Sequence, residues 1–296
     1  MPRHAYCILA HNEPKVLEVL VELLDDERND IYIHLDKKSD ISQFRVQTKY
    51  SRCTFIPRIK VYWGGFSLTQ ATINLLGYAK SHGAYSYYHL ISGVDLPLKS
   101  QDYIHDFCDN EHSGKEFIGI LNNLSPDYLA AQTRYYYIFE SVIRPGWSGL
   151  GNRIKNAISW RIRHYQSRLG THRKIKNKEI RKGVNWFSIS DKMVSFILSN
   201  KKWIKKNFHH TRISDEIAIS TLVWNSPFRS HIFNTNCAYL SCMRKIDWTR
   251  GNPYVWKSED VYELINSNSL FARKFSATDI EAIESIKHHL KSAKRQ

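Results

Sequence analysis

Short apolar runs alternating with amphipathic helical patterns through the first 120 residues are what most constrain this chain. Residues 5–10, AYCILA, form an unbroken apolar run of strand length. Pro14 then fits the first turn of a helix carrying Val16, Leu17, Leu20, Val21 and Leu24. Residues 30–36, DIYIHLD, read as a second strand ending on charge, and residues 54–56, TFI, as a short third. Ser67 and Gln70 have the spacing of a capping box, ahead of Leu68, Ala71, Leu75, Leu76 and Ala79 on one helical side. The segment YSYYHLISGVDLPLKS holds a strand through Leu90 and Ile91, followed by a loop punctuated by Gly and Pro. Ser100 is placed to cap a helix through Phe107, and residues 115–120 are another strand. This alternation predicts an α/β fold with a mostly parallel sheet covered by helices. Ligands of such sheets bind beyond the C-terminal strand ends. Three polar clusters fall there: His11-Asn12-Glu13, His34 with Asp36-Lys37-Lys38, and Ser92-Gly93 with Asp95. Taken singly, each also has the composition of an ordinary strand exit.

The middle of the chain is different. Residues 144–182 contain twelve Lys or Arg and a single acid, Glu179. Ile154, Ile158, Ile162, Tyr165 and Leu169 recur at helical spacing, with Arg153, Lys155, Arg161, Arg163 and Arg168 on the remaining faces. This is a basic amphipathic helix. It fits a surface helix packed on the core, or a helix facing an anionic membrane or acceptor. Beyond it, residues 183–190, GVNWFSIS, read as a strand and Met193, Phe196 and Ile197 as a helix. Arg273 and Lys274 stand between apolar residues in LFARKF, and Ile280, Ile283, Ile286 and Leu290 mark a closing helix. No repeat or low-complexity linker interrupts the chain, so one globular unit is expected, with a 1–143 half, a 144–182 basic insert and a 183–296 half.

The net charge of +15 suits an anionic partner, whether nucleic acid, acidic lipid or a phosphorylated small molecule. Five cysteines, without a CxxC pair, read as free thiols in a reducing compartment. The N-terminus has no signal-peptide pattern, and no stretch reaches the roughly 20 apolar residues of a membrane span. A cytoplasmic protein, free or peripheral at the inner membrane face, is expected. Walker A, GxGxxG, GxSxG and HExxH motifs are absent, and so is Asp-x-Asp, which disfavours metal chemistry. In RISDEIAIST, Ser214 is placed as an N-cap, and Asp215 and Glu216 fit either a helix's acidic first turn or a general base.

The motifs AYCILAHNEP, DIYIHLDKKSD, VYWGGFSLTQATINLL, YYHLISGVDLPLKS, GVNWFSISDKMVSFIL, SDEIAISTLV and LFARKFS follow one another over residues 5–276. In this order the chain resembles the core 2/I-branching β-1,6-N-acetylglucosaminyltransferases and the related xylosyltransferases of glycosyltransferase family 14. Its length and lack of an anchor resemble bacterial members. The resemblance implies a GT-A fold and inverting transfer from a UDP-sugar to a glycan hydroxyl without a divalent ion or other cofactor. UDP-N-acetylglucosamine leads among donors, ahead of UDP-xylose, UDP-galactose and UDP-glucuronate. A bacterial surface polysaccharide or lipid-linked glycan is the implied acceptor.

Residue by residue, the resemblance implies Glu216 as the base, with Asp215 as capping acid or alternative base; the family's Pro before this pair is missing here. It implies Lys274, beside Arg273, at the diphosphate. Arg250 is the candidate second cation, with Lys257 and Arg244 nearby. His11 and Asp36 correspond to uridine contacts, Trp63, Ser67 and Asp95 to donor-side motifs, and Trp248 to an aromatic under the acceptor sugar, though a buried core Trp fits as well. Two rival classes are a basic nucleic-acid-binding module and an inactive scaffold that binds glycans or membranes.

Overall fold

The computed structural model describes residues 2–139, 150–171, 173, 175 and 178–293. A six-stranded sheet is built from β1 (His4–Ala10), β2 (Asn29–Leu35), β3 (Arg52–Phe55), β4 (Tyr87–Ser92), β6 (Phe117–Leu121) and β7 (Lys182–Ser190), in the order β3-β2-β1-β4-β7-β6. β1 runs parallel to β2 and β4, and β2 to β3. β7 is antiparallel to both its neighbours, β4 and β6, so it alone runs against the sheet. This is the expected α/β arrangement, a mostly parallel sheet covered by helices. A second sheet of three short strands, β5 (Asp95–Pro97), β9 (Phe271–Arg273) and β8 (Arg244–Ile246), stands beside it.

Period-two alternation divides β1 between two cores. Tyr6, Ile8 and Ala10 pack with α1 (Pro14–Leu24) and α11 (Ile280–Ala293). Ala5, Cys7 and Leu9 pack on the other face with α2 (Phe66–His82), α6 (Asp191–Ser199), α7 (Lys201–Phe208) and α8 (Ser214–Trp224). Burial of both faces explains why β1 reads as a continuous apolar run. Each fully buried Ile or Leu contributes on the order of 1.5–3 kcal/mol. Among the described residues, the remaining α-helices are α3 (Gln101–Asp106), α4 (Pro126–Thr133), α5 (Leu150–Arg168), α9 (Ala238–Cys242) and α10 (Val261–Ile265). Among the described residues, no helix is long and apolar enough to cross a membrane.

Pro14 does open α1, and the Ser100 hydroxyl accepts from the Tyr103 N–H, as expected. Three other expectations need correction. The third strand spans Arg52–Phe55, not 54–56. Helix α2 begins at Phe66 behind Gly65, so Ser67 and Gln70 form no capping box. Instead the Ser67 hydroxyl accepts the Tyr62 N–H at 2.8 Å, and the Gln70 amide donates to Asn74. Nor is Ser214 a cap. Ile213 holds that position in a left-handed conformation (φ 48°), while the Ser214 hydroxyl bonds Thr69 at 3.0 Å. Helix α5 exists, but Ser159 is buried and Ile154, Ile158, Tyr165 and Leu169 face outward, so the apolar stripe is not its packed side. Arg144, Lys174 and Lys176 of the basic stretch lie outside the described residues.

Candidate active site

The parallel strands β1, β2 and β4 end at one edge, and β7 begins there because it runs backwards. This edge collects the polar residues that follow the strands. The Asp36 N–H donates to the Ala10 carbonyl at 2.9 Å, and the Asp36 carboxylate accepts the N–H groups of Lys38 (2.9 Å) and Val61 (3.3 Å). The Ser39 hydroxyl donates to the His11 carbonyl at 2.6 Å. Asp36 thus ties together the β1 exit, the β2 exit and the loop leading to Trp63. His11 is exposed, and Trp63 is 54% exposed at the tip of its loop. His34, by contrast, is buried within β2 and accepts the Ile59 N–H at 3.1 Å.

The same loop reaches the carboxylates of α8. The Gly64 carbonyl accepts the Ile213 N–H at 2.6 Å, immediately before Ser214, Asp215 and Glu216. The Glu216 carboxylate pairs with the Lys182 ammonium at 3.0 Å, and Lys182 stands opposite Leu121 where β6 and β7 meet the edge. Burial lowers the proton affinity of Lys182, but the charge and hydrogen bond of Glu216 outweigh it and raise the pKa. Lys182 also lies 5.5 Å above the Tyr128 ring. Asp215 differs from its neighbour: its Oδ1 is shielded from water and has no hydrogen-bond partner. Burial first, and the Glu216 charge second, push its pKa well above the ordinary carboxylate range, with Lys182 opposing. The Tyr239 phenol interacts with Lys182, Glu216 and the Trp248 indole, which brings Trp248 toward the carboxyl pair. At 48% exposure Trp248 is a surface ring, not a core residue.

The turn after β4 brings the second sheet to the same edge. Gly93 donates its N–H to Leu9 at 2.9 Å, and a Cβ there would meet Ala10 Cβ at 2.9 Å, so the close approach requires glycine. Asp95 accepts the Ser92 N–H at 2.9 Å and pairs in register with Arg273. Its other oxygen has no hydrogen bond and lies 3.7 Å from Arg273 Nε. Burial raises the Asp95 pKa, against the opposing charges of Arg273 and Arg244. Arg273 is no surface cation: its guanidinium stacks 4.2 Å from the Trp186 ring centroid, with the side chain 14% exposed. Arg244 is fully enclosed and donates to the Cys242 and Phe187 carbonyls and to Ser188. Two guanidinium groups beside one carboxylate leave a net positive patch under the edge.

Lys274 follows directly. Its main chain is held by Tyr254 and Trp256; the residue is partly buried, and its ammonium has no ion pair among the described residues. Next along the chain, the Ser276 hydroxyl and the Ala277 N–H donate to the Glu13 carboxylate, both at 2.9 Å, closing the β9 exit onto the β1 exit. Arg250 is engaged elsewhere, paired with Asp247 (2.5 Å) and Asp260 (2.7 Å) and stacked on Tyr254, so its charge is already neutralised.

Sequence reasoning thus found most of the edge but missed Lys182, Tyr128 and Tyr239. Of these only Lys182 left a signal, as the last cation before the GVNWFSIS strand. At the opposite end of the sheet, His4, His105 and Asp109 are close enough to hold an ion. His4 Nε2 and His105 Nδ1 face the same Asp109 oxygen at 3.2 and 3.5 Å, so hydrogen bonding and ion pairing account for the cluster without an ion.

Fold and site together define a Rossmann-like α/β protein with a cationic, carboxylate-bearing edge beyond the strand ends, where such sheets take nucleotides. A family model described as Core-2/I-Branching enzyme matches residues 4–266, and the chain belongs to that glycosyltransferase family. Human Xylosyltransferase 2 is similar, with 23% identity over 314 residues covering 97% of this chain. The chain spans about a third (34%) of that protein's length. Mouse Xyloside xylosyltransferase 1, whose crystal structure is of the apo form, aligns over 90% of this chain and 97% of its own at 12% identity, with a TM-score of 0.35.

Proposed function

We propose that this chain is an inverting, metal-independent glycosyltransferase. It moves a sugar, N-acetylglucosamine before other candidates, from a UDP-sugar to a hydroxyl of a glycan or lipid-linked glycan. The observation that carries this reading is the meeting of the Asp215–Glu216 carboxyl pair and the cationic β9 exit at one sheet edge. In this reading the acceptor oxygen attacks the anomeric carbon from the face opposite UDP, while Glu216 takes the hydroxyl proton. The bond from the anomeric carbon to the phosphate oxygen breaks, and its electron pair leaves on UDP. Inversion gives a β-linkage. The diphosphate gains one negative charge as it leaves, and Lys274, with Arg273 behind it, supplies fixed cations to stabilise that charge. Trp248 offers a ring face to the acceptor sugar.

Transfer is therefore expected to proceed in EDTA at an undiminished rate, measured as UDP release against a panel of UDP-sugars. Loss of turnover on chelation, restored by manganese, would remove the metal-free part of the reading. The same panel identifies the donor.

Lys182 should set the pH window. Its cation holds down the proton affinity of the buried Asp215 beside Glu216. Lys182→Met removes the cation that pairs with Glu216 at 3.0 Å and also opposes protonation of Asp215, so the coupled carboxyl pair as a whole takes up protons at higher pH. The acid limb of the kcat/KM profile should then move upward by about one pH unit. Lys182→Arg should restore it. An acid limb that stays in place in Lys182→Met would show that the ion pair does not tune the base.

A further inference from the structure

Helix α5 is turned inside out relative to an ordinary surface helix, which buries its apolar stripe. Its packed side is largely polar, and Ile162 is the one stripe residue that is partly buried. Ser159 is 4% exposed, Arg163 donates to the Ser159 hydroxyl and lies over the Tyr137 ring, and Gln166 bonds the Tyr136 backbone. The outward side carries Ile154 (53% exposed), Ile158 (42%), Tyr165 (63%) and Leu169 (76%). At 100° per residue these four fall within about 60° of arc, so they form one stripe. Arg153, Lys155, Arg161 and Arg168 are also exposed around it, and α5 has no acidic residue. A contiguous apolar stripe left in water marks an interaction surface. Its dense cations and lack of acids choose the partner, because this pattern is complementary to anionic headgroups over an apolar interior.

We propose that α5 docks the protein flat on an anionic lipid surface. Ile154, Ile158, Tyr165 and Leu169 enter the headgroup boundary, and Arg153, Lys155, Arg161 and Arg168 pair with lipid phosphates. The segment that α5 packs on follows α4, whose Tyr128 touches Lys182, so docking would set the Glu216 side of the sheet edge near the membrane. The inference does not depend on the transferase reading, because its test needs no donor sugar.

The test is co-sedimentation of the full chain with phosphatidylcholine vesicles, with and without phosphatidylglycerol. Binding should require the anionic lipid and weaken as NaCl is raised. The Arg153→Ser/Arg161→Ser/Arg168→Ser variant should lose on the order of 100-fold in affinity, about fivefold per cation. Ile154→Ser/Ile158→Ser/Leu169→Ser should lose roughly tenfold or more at unchanged charge, and Arg153→Lys/Arg161→Lys/Arg168→Lys should bind like the parent. All six positions are exposed, so folding should be retained, as checked by circular dichroism. Failure of the parent to bind anionic vesicles would overturn the proposal. So would full binding by the apolar triple variant together with equal affinity for single-stranded nucleic acid, which would make α5 a general polyanion surface.

Discussion

Glu216→Gln is expected to lower kcat by about 10²–10⁴-fold, the range of a general base, while UDP affinity stays unchanged. The substitution keeps the shape of the side chain and removes its ability to take a proton. Glu216 is the better-equipped of the two carboxylates, because Lys182 pairs with it at 3.0 Å. Asp215 has an oxygen enclosed without a partner, and its pKa is raised by burial, which favours the neutral form. Asp215→Asn should therefore cost less in kcat than Glu216→Gln. The measurement is single-turnover transfer with matched UDP titrations. If Asp215→Asn loses turnover and Glu216→Gln retains it, the roles are exchanged.

Lys274→Ala should cost about 10²–10³-fold in kcat/KM, or roughly 2.7–4 kcal/mol of transition-state stabilisation, by analogy with removal of one oxyanion donor. It should also weaken UDP binding. Arg273 cannot take over, because it is fixed between Trp186 and Asp95, and Arg250 is committed to Asp247 and Asp260. Lys274→Arg should recover part of the loss. A folded Lys274→Ala enzyme with parental kinetics and UDP affinity would place the diphosphate elsewhere.

The long strands were legible because a sheet buried on both faces needs near-continuous apolar runs, as in residues 5–10 of β1. Direction was not legible. The residues of β7 read as a strand, but nothing local in GVNWFSIS records that it runs backwards. The second sheet escaped because its three strands have three residues each, too short to display a period. Arg273 illustrates the limit for site residues. Its neighbours in LFARKF suggest a cation projecting from an apolar strand, whereas pairing with Asp95 and stacking on Trp186 depend on partners 178 and 87 positions away. The outward stripe of α5 was visible as a periodicity, but which side faced the protein was decided by Ser159, which the pattern left unassigned, and by Arg163, which it had placed among the outer cations.

The reversed strand β7 has a dynamic consequence. It belongs to the half of the chain that carries Glu216, yet it is hydrogen-bonded between β4 and β6 of the other half. Lys182, which pairs with the proposed base Glu216, and the strand ends of the proposed nucleotide edge therefore sit on one continuous ladder, and that ladder provides no hinge between them. Closure around a substrate by swinging one lobe onto another would have to break sheet hydrogen bonds. Adjustment falls instead to the short connections at the rim, such as the Trp63 loop. In the proposed reading, donor and acceptor would therefore meet on a rigid anvil, with any opening and closing left to the rim loops.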